Sequence, residues 1–146
     1  MIGLDALRAL AEGSVRAVTV VARKPPAGLE GAPYVSTRGI DLAAITEPRM
    51  LFEGTVRDGI RGFPANVNVA AAAALTGIGL DRTRLQVWVD PSLRRNVHEL
   101  QVEADSASFS ATISGEPSAN PRSSAMAAYS AIATIRNLVA PISVGV

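Results

Sequence analysis

Between Arg84 and Ser114 the chain reads as three strands in succession, and this run constrains the fold more than any other feature. Over Arg84 to Val89 the apolar Leu85, Val87 and Val89 alternate with other residues, the period-two signature of a strand with one buried face. Val97 to Ala104 and Ala107 to Ser114 continue the pattern, with the polar Ala104-Asp-Ser-Ala107 stretch as the hairpin turn between them. Ser14 to Ala22, rich in Val and Thr, and Arg49 to Thr55 supply two earlier strands. Strands that arrive in runs favour antiparallel pairing, whereas a doubly wound nucleotide fold needs strict strand–helix alternation. The expected fold class is therefore α+β: a mixed, mostly antiparallel sheet with helices packed on one face.

Helices fill the remaining segments. Ile2 to Glu12 places Leu4, Leu7 and Leu10 at helical spacing and stops at Gly13. Val56 to Gly62 reads as a short helical turn, and Asn66 to Thr76 as an Ala-rich helix closed by Gly77-Ile-Gly79. Arg122 to Leu138 is a longer helix, with Ala128, Ile132, Ile135 and Val139 along one stripe. Arg23 to Arg38, broken by Pro25, Pro26, Gly28, Gly31 and Pro33, reads as the longest loop, either a solvent-exposed connection or a binding loop. The polar Ser108, Ser110, Thr112, Ser114 side suits water on the sheet's other face, while Trp88 in a neighbouring strand suggests partial cover by a symmetric dimer. No internal repeat or boundary divides the 146 residues, so 1–146 is expected to form a single domain.

Composition excludes several function classes. A hydrophobic share of 48% and a mean hydropathy of +0.24 argue against disorder. Net charge is only +1 and aromatic residues are 4%, so stacking platforms and basic tracts for nucleic acid are lacking. No apolar run reaches bilayer-spanning length, and the N-terminus lacks the pattern of a signal peptide. The absence of Cys rules out a disulfide framework and fits a cytoplasmic protein. One His and no Cys leave no transition-metal site expected. Gly77-x-Gly79 is followed by Arg82 where a dinucleotide fingerprint needs a third glycine. No phosphate-binding loop and no nucleophile elbow occur.

The residues that could carry chemistry are few. His98, the only imidazole, shares a strand side with Asn96, Leu100, Val102 and Ala104, so it points to the interior or to a pocket mouth. A structural histidine explains it. Near an apolar wall it would also titrate close to neutrality, which suits a proton donor or acceptor. Asn66 reads as the N-cap of the Ala-rich helix, and Asn68, one turn inside, as a buried amide in need of partners. Asn120-Pro-Arg-Ser-Ser124 opens the last helix, whose free amides at Arg122, Ser123 and Ser124 would suit a carboxylate or phosphate; a plain helix cap is the alternative. Lys24, the only lysine, ends the first strand, either solvated, or holding a substrate carboxylate, or as a Schiff-base amine in a dry pocket.

Taken together, these segments resemble the C-terminal domain of the L-aspartate dehydrogenase family. The likeness runs through Ile2-Gly-Leu-Asp-Ala6, Arg23-Lys-Pro25, Phe63 to Ala70, Gly79-Leu-Asp-Arg-Thr83, Asp90-Pro91, Asn96-Val-His98 and Asn120-Pro-Arg-Ser-Ser124. The resemblance implies that His98 is the acid/base residue and that Asn68 contacts the nicotinamide end of NAD or NADP. It implies a reaction interconverting L-aspartate with iminosuccinate, and then oxaloacetate and ammonia. It also implies a homodimer built through this domain's sheet. The family's N-terminal nucleotide domain has no counterpart here, Met1 stands where the family carries alanine, and the family's Lys-Thr reads Arg122-Ser123.

Two functions follow as expectations. The first is a cofactor-independent enzyme acting on a small imine, enamine or keto-acid by cyclisation, isomerisation or hydrolysis. In it His98 is the acid/base group, and Lys24, Asn66, Asn68, Arg122, Ser123 and Ser124 hold a carboxylate-bearing substrate. The second is a split L-aspartate dehydrogenase whose NAD or NADP sits on a separate nucleotide-binding partner. A bare dimerisation module is a third reading, which His98 and the Asn pair disfavour.

Overall fold

The computed structural model describes residues 3–116 and 125–141. In chain order these form α1 (Leu4–Ala11), β1 (Val15–Lys24), a 3-10 turn (Pro26–Leu29), α2 (Pro33–Thr37), β2 (Arg49–Thr55) and α3 (Val56–Gly62). Then come α4 (Asn68–Thr76), β3 (Arg84–Val89), β4 (Asn96–Ala104), β5 (Ser108–Gly115) and α5 (Ala125–Val139). The strands make one five-stranded sheet in the order β2-β3-β1-β4-β5. β1 and β3 run parallel and every other adjacent pair is antiparallel. The fold is thus α+β with a mixed, mostly antiparallel sheet.

Alternation decides which face is covered. On β1, Val18, Val20, Ala22 and Lys24 turn the same way, and register places Leu85, Val87 and Val89 of β3 beside Val20, Ala22 and Lys24. On the other flank, Val102 and Leu100 of β4 lie opposite Val18 and Val20. The apolar side chains among them are buried, each worth about 1.5–3 kcal/mol relative to exposure for a residue the size of valine or leucine.

Helices α1, α3 and α4 close that face. α1 starts at Gly3, whose φ of +60° suits glycine, and a Cβ there would lie 2.8 Å from Phe109 Cε2. α3 is capped by Thr55, whose Oγ1 accepts from the Asp58 N–H at 3.1 Å and donates to the Asp58 carboxylate at 2.7 Å. α4 buries Ala70, Ala73 and Ala74, whose small side chains let the helix lie close to the sheet. Phe63, wholly buried, stacks on Tyr34 at 5.0 Å and meets Phe52 edge-on at 5.9 Å, tying α2 and β2 to the end of α3.

Two local expectations are corrected. Arg23 to Arg38 is structured: the 3-10 turn and α2 each begin with proline, whose fixed φ favours a first helical position. α4 begins at Asn68 with Val67 as its N-cap, because a tight turn, Asn66 N–H to Phe63 O at 2.9 Å, occupies the residues before it. Along α5, Tyr129 is 70% exposed and Leu138 81%. The opposite face of the sheet is largely polar. There Gln86 bonds Glu53, Gln101 and Ser110 bond Glu99, and the Arg23 guanidinium lies 4.5 Å over the Trp88 ring.

Candidate active site

The parallel pair β1 and β3 ends at Lys24 and Val89, and the two strand ends are locked together there. Asp90 donates its backbone N–H to the Lys24 carbonyl at 2.8 Å. The Asp90 carboxylate then accepts from the Ser92 N–H at 3.0 Å and from the Ser92 hydroxyl at 2.6 Å. This turn sends the chain through Pro91 into β4, where Asn96 and His98 lead the strand. Asp90 is buried, and its carboxylate serves the turn.

Register brings His98 to Lys24. His98 lies opposite Ala22 on β1 and Ile113 on β5, on the covered face of the sheet. Lys24, two residues past Ala22, is its diagonal neighbour, a spacing of about 7–8 Å between Cα atoms that long side chains bridge readily. Gly28 of the 3-10 turn presses on the same place: a Cβ there would lie 3.4 Å from Asn96 Oδ1 and 3.5 Å from Lys24 Cβ. A cation, an amide and an imidazole therefore share one end of one face.

Their environment is unusual for polar groups. Lys24 is only 5% exposed and makes no ion pair or side-chain hydrogen bond among the described residues. Burial without a counter-ion pulls its pKa from 10.5 down to about 8. His98 is half-buried, and its Nδ1 is buried with no hydrogen-bond partner among the described residues. Burial first, and the Lys24 charge second, hold its pKa down at about 4. Titration near neutrality, expected from an apolar wall alone, is thus corrected: a neighbouring cation adds to desolvation. At neutral pH the site presents a mostly charged ammonium beside a neutral imidazole.

The other expected residues are dispersed. Asn68 is exposed in the first turn of α4, so the expectation of a buried amide is corrected. α4 ends beside the start of β1, where Ala74, Leu75 and Gly77 line a hollow with Val15. Asn66 is half-buried in the preceding turn and does not cap the helix. Arg122, Ser123 and Ser124 lie outside the described residues. Asn96 and Asp90 were not among the expected site residues. Asn96 carried a signal, since it shares the His98 side of β4, whereas the burial of Asp90 depends on β1.

A concavity of about 640 Å³ lies at the far end of β1 from Lys24, around Gly13, Val15, Gly77 and Arg82. Arg82 is its only charged wall, so the bigger hollow and the convergent polar groups do not coincide. Among the described residues no cluster of His, Cys, Asp or Glu could hold a metal ion, and no helix is long and apolar enough to cross a membrane. Toward a nicotinamide cofactor, Asn68 offers an exposed amide. No glycine-rich phosphate turn accompanies it.

With this geometry in view, the likeness to known proteins is specific. The family profile described as "Aspartate dehydrogenase, C-terminal" matches residues 5–138, nearly the whole chain. This chain belongs to that family. The L-aspartate dehydrogenase of Bradyrhizobium diazoefficiens is 49% identical over 145 residues, covering 99% of this chain and 52% of the relative. That of Methanosarcina acetivorans is 45% identical over 146 residues, covering 99% and 54%. The crystal structure of aspartate dehydrogenase from Thermotoga maritima superposes with a TM-score of 0.74 at 26% identity, over 98% of this chain and 52% of that one. The chain therefore spans about half the length of the relatives it matches, and the matched half is the C-terminal one.

Proposed function

We propose that this chain is the substrate half of an L-aspartate dehydrogenase, interconverting L-aspartate with iminosuccinate and then oxaloacetate and ammonia. The carrying observation is the convergence, in a member of this family, of the buried Lys24 and the half-buried His98, whose Nδ1 is buried, both without partners among the described residues. Lys24 holds a substrate carboxylate, with its own desolvation relieved by the ion pair. Asn96 faces the same space and orients the polar end. His98, neutral when the site is empty, takes the proton released as amine becomes imine, or accepts one from the water that hydrolyses the imine. NAD or NADP, bound to a nucleotide-binding segment outside these residues, would supply the hydride acceptor for the substrate carbon. Asn68 is this chain's contact to its nicotinamide end, and Asn66 supports that turn. Arg122, Ser123 and Ser124 remain proposed as a second carboxylate anchor.

The first expectation, a cofactor-independent enzyme of cyclisation, isomerisation or hydrolysis, finds no support in the relatives, all of the matches above being named aspartate dehydrogenases. A single compact domain, a cytoplasmic location and a homodimer belong to the proposal. The dimer would use the sheet's second face, where Val21 and Trp88 interrupt a polar surface; sedimentation showing only monomer at high protein concentration would remove it.

The test of function is complementation. The chain is mixed with, or fused to, the nucleotide-binding half of the Bradyrhizobium relative, and NADH formation from L-aspartate is followed. Turnover is expected, falling about 10²–10⁴-fold in His98→Asn, the usual reach of one acid/base group. Absence of turnover from a complex that binds NAD, or equal rates with and without His98, would reject the proposal.

A further inference from the structure

Among the described residues, the charged groups around His98 other than Lys24 are engaged elsewhere or face away. On β3, the Asp90 carboxylate at the strand end is turned to Ser92. On β4, Glu99 projects to the opposite face, where it accepts from Gln101 and Ser110. Beyond β5, Glu116 pairs with Arg95, and the strand's own neighbours, Ile113 and Gly115, carry no charge. The 3-10 turn above the site contributes only Pro26, Ala27, Gly28 and Leu29. On β1, Lys24 alone shares the imidazole's face, with no counter-ion among the described residues.

We propose that Lys24 is a positioning residue that makes the basicity of His98 conditional on substrate: a carboxylate paired with the ammonium makes the imidazole a stronger base than it is in the empty site. This rests on the site reading above and adds a coupling to it. A fixed cation beside an imidazole opposes a second positive charge, and an anion placed on that cation cancels the opposition. The empty pocket, where burial and Lys24 hold His98 at about 4, retains no proton at neutral pH. In the filled pocket the carboxylate offsets the Lys24 charge while burial remains, so His98 is a stronger base than in the empty one. Discrimination follows: an amine lacking the carboxylate that meets Lys24 would bind weakly and would also leave His98 a poor base. Such substrates lose kcat as well as KM.

The chain has one histidine and one lysine, so labelled-histidine NMR reads His98 alone and labelled-lysine NMR reads Lys24 alone. The 146-residue chain is titrated with acid, first free, then with saturating succinate, then with succinamide as the uncharged analogue. Free His98 should titrate near 4. Succinate should raise that by about one to two pH units, the effect of one neighbouring charge, and succinamide should not. In Lys24→Met the free value should already be raised and should ignore succinate, while Lys24→Arg should restore both the low value and the response. If succinate moves the Lys24 signal but not the His98 titration, the coupling is wrong and the carboxylate site stands. If succinate moves neither, the site reading fails with it. Should Lys24→Met not fold, the succinate and succinamide titrations of the unaltered chain decide alone.

Discussion

Lys24→Met should stabilise this protein while removing a binding group. The lysine's pKa falls from 10.5 to about 8 on folding because its charge is taken out of water without a counter-ion. At about 1.4 kcal/mol per pH unit, that difference opposes folding by about 3 kcal/mol. The sign follows from the two pKa values. Below pH 8 both folded and unfolded chains carry the proton, and the whole penalty applies. Between pH 8 and 10.5 the folded chain sheds the proton first and the penalty shrinks. Above pH 10.5 both are neutral and it vanishes. Methionine fills similar volume with no charge, so the variant should gain about 3 kcal/mol more at about pH 7 than at about pH 10.5. Urea unfolding at both pH values, followed by the fluorescence of Trp88, the single tryptophan, measures this directly. Equal stabilisation at the two pH values, or destabilisation at the lower one, would show that the ammonium is not an unpaired buried charge and would refute the reasoning.

Acid should expose the matching property of the imidazole: the His98 pKa drops from 6.5 unfolded to about 4 folded. The corresponding stability, about 3 kcal/mol, is present above pH 6.5 and lost as pH falls toward 4. His98→Gln should lack that part of the acid slope in urea unfolding, and an unchanged slope would contradict the assignment. Thr83 buries its hydroxyl with no partner among the described residues, so Thr83→Val should raise stability by about 1 kcal/mol, read by the same assay; a loss would mean that a hydrogen bond is made there.

Much of the fold was legible because period and punctuation are local. β2 and α3 fall on Arg49–Thr55 and Val56–Gly62 as the pattern predicts, and the β4–β5 hairpin turns where Ala104-Asp-Ser-Ala107 is polar. The proline-rich stretch after Lys24 misleads because proline both breaks and begins helices, and the residues C-terminal to it decide between the two. Asn66 looks like a cap, but the Phe63–Asn66 turn forms around a buried aromatic ring, a tertiary fact. The apolar stripe of α5 announces the helix and says nothing about its packing partner. At the site, the side of β4 that carries His98 was readable from alternation. The depressed titration was not, since it needs first the burial that the fold imposes and then Lys24, far away in sequence, set beside it by the pairing of β1 with β4.

That pairing has an evolutionary consequence. Moving β4 along β1 by a single residue would turn His98 outward, and in the same motion would expel Leu100 and Val102 from the core. The reactive pair is therefore protected by the oily side chains further along the same strands, and no drift in alignment can retune it gradually. Changes in what this protein accepts have to come by replacing side chains where they stand, most simply at Lys24, Asn96 or the tight crossing at Gly28.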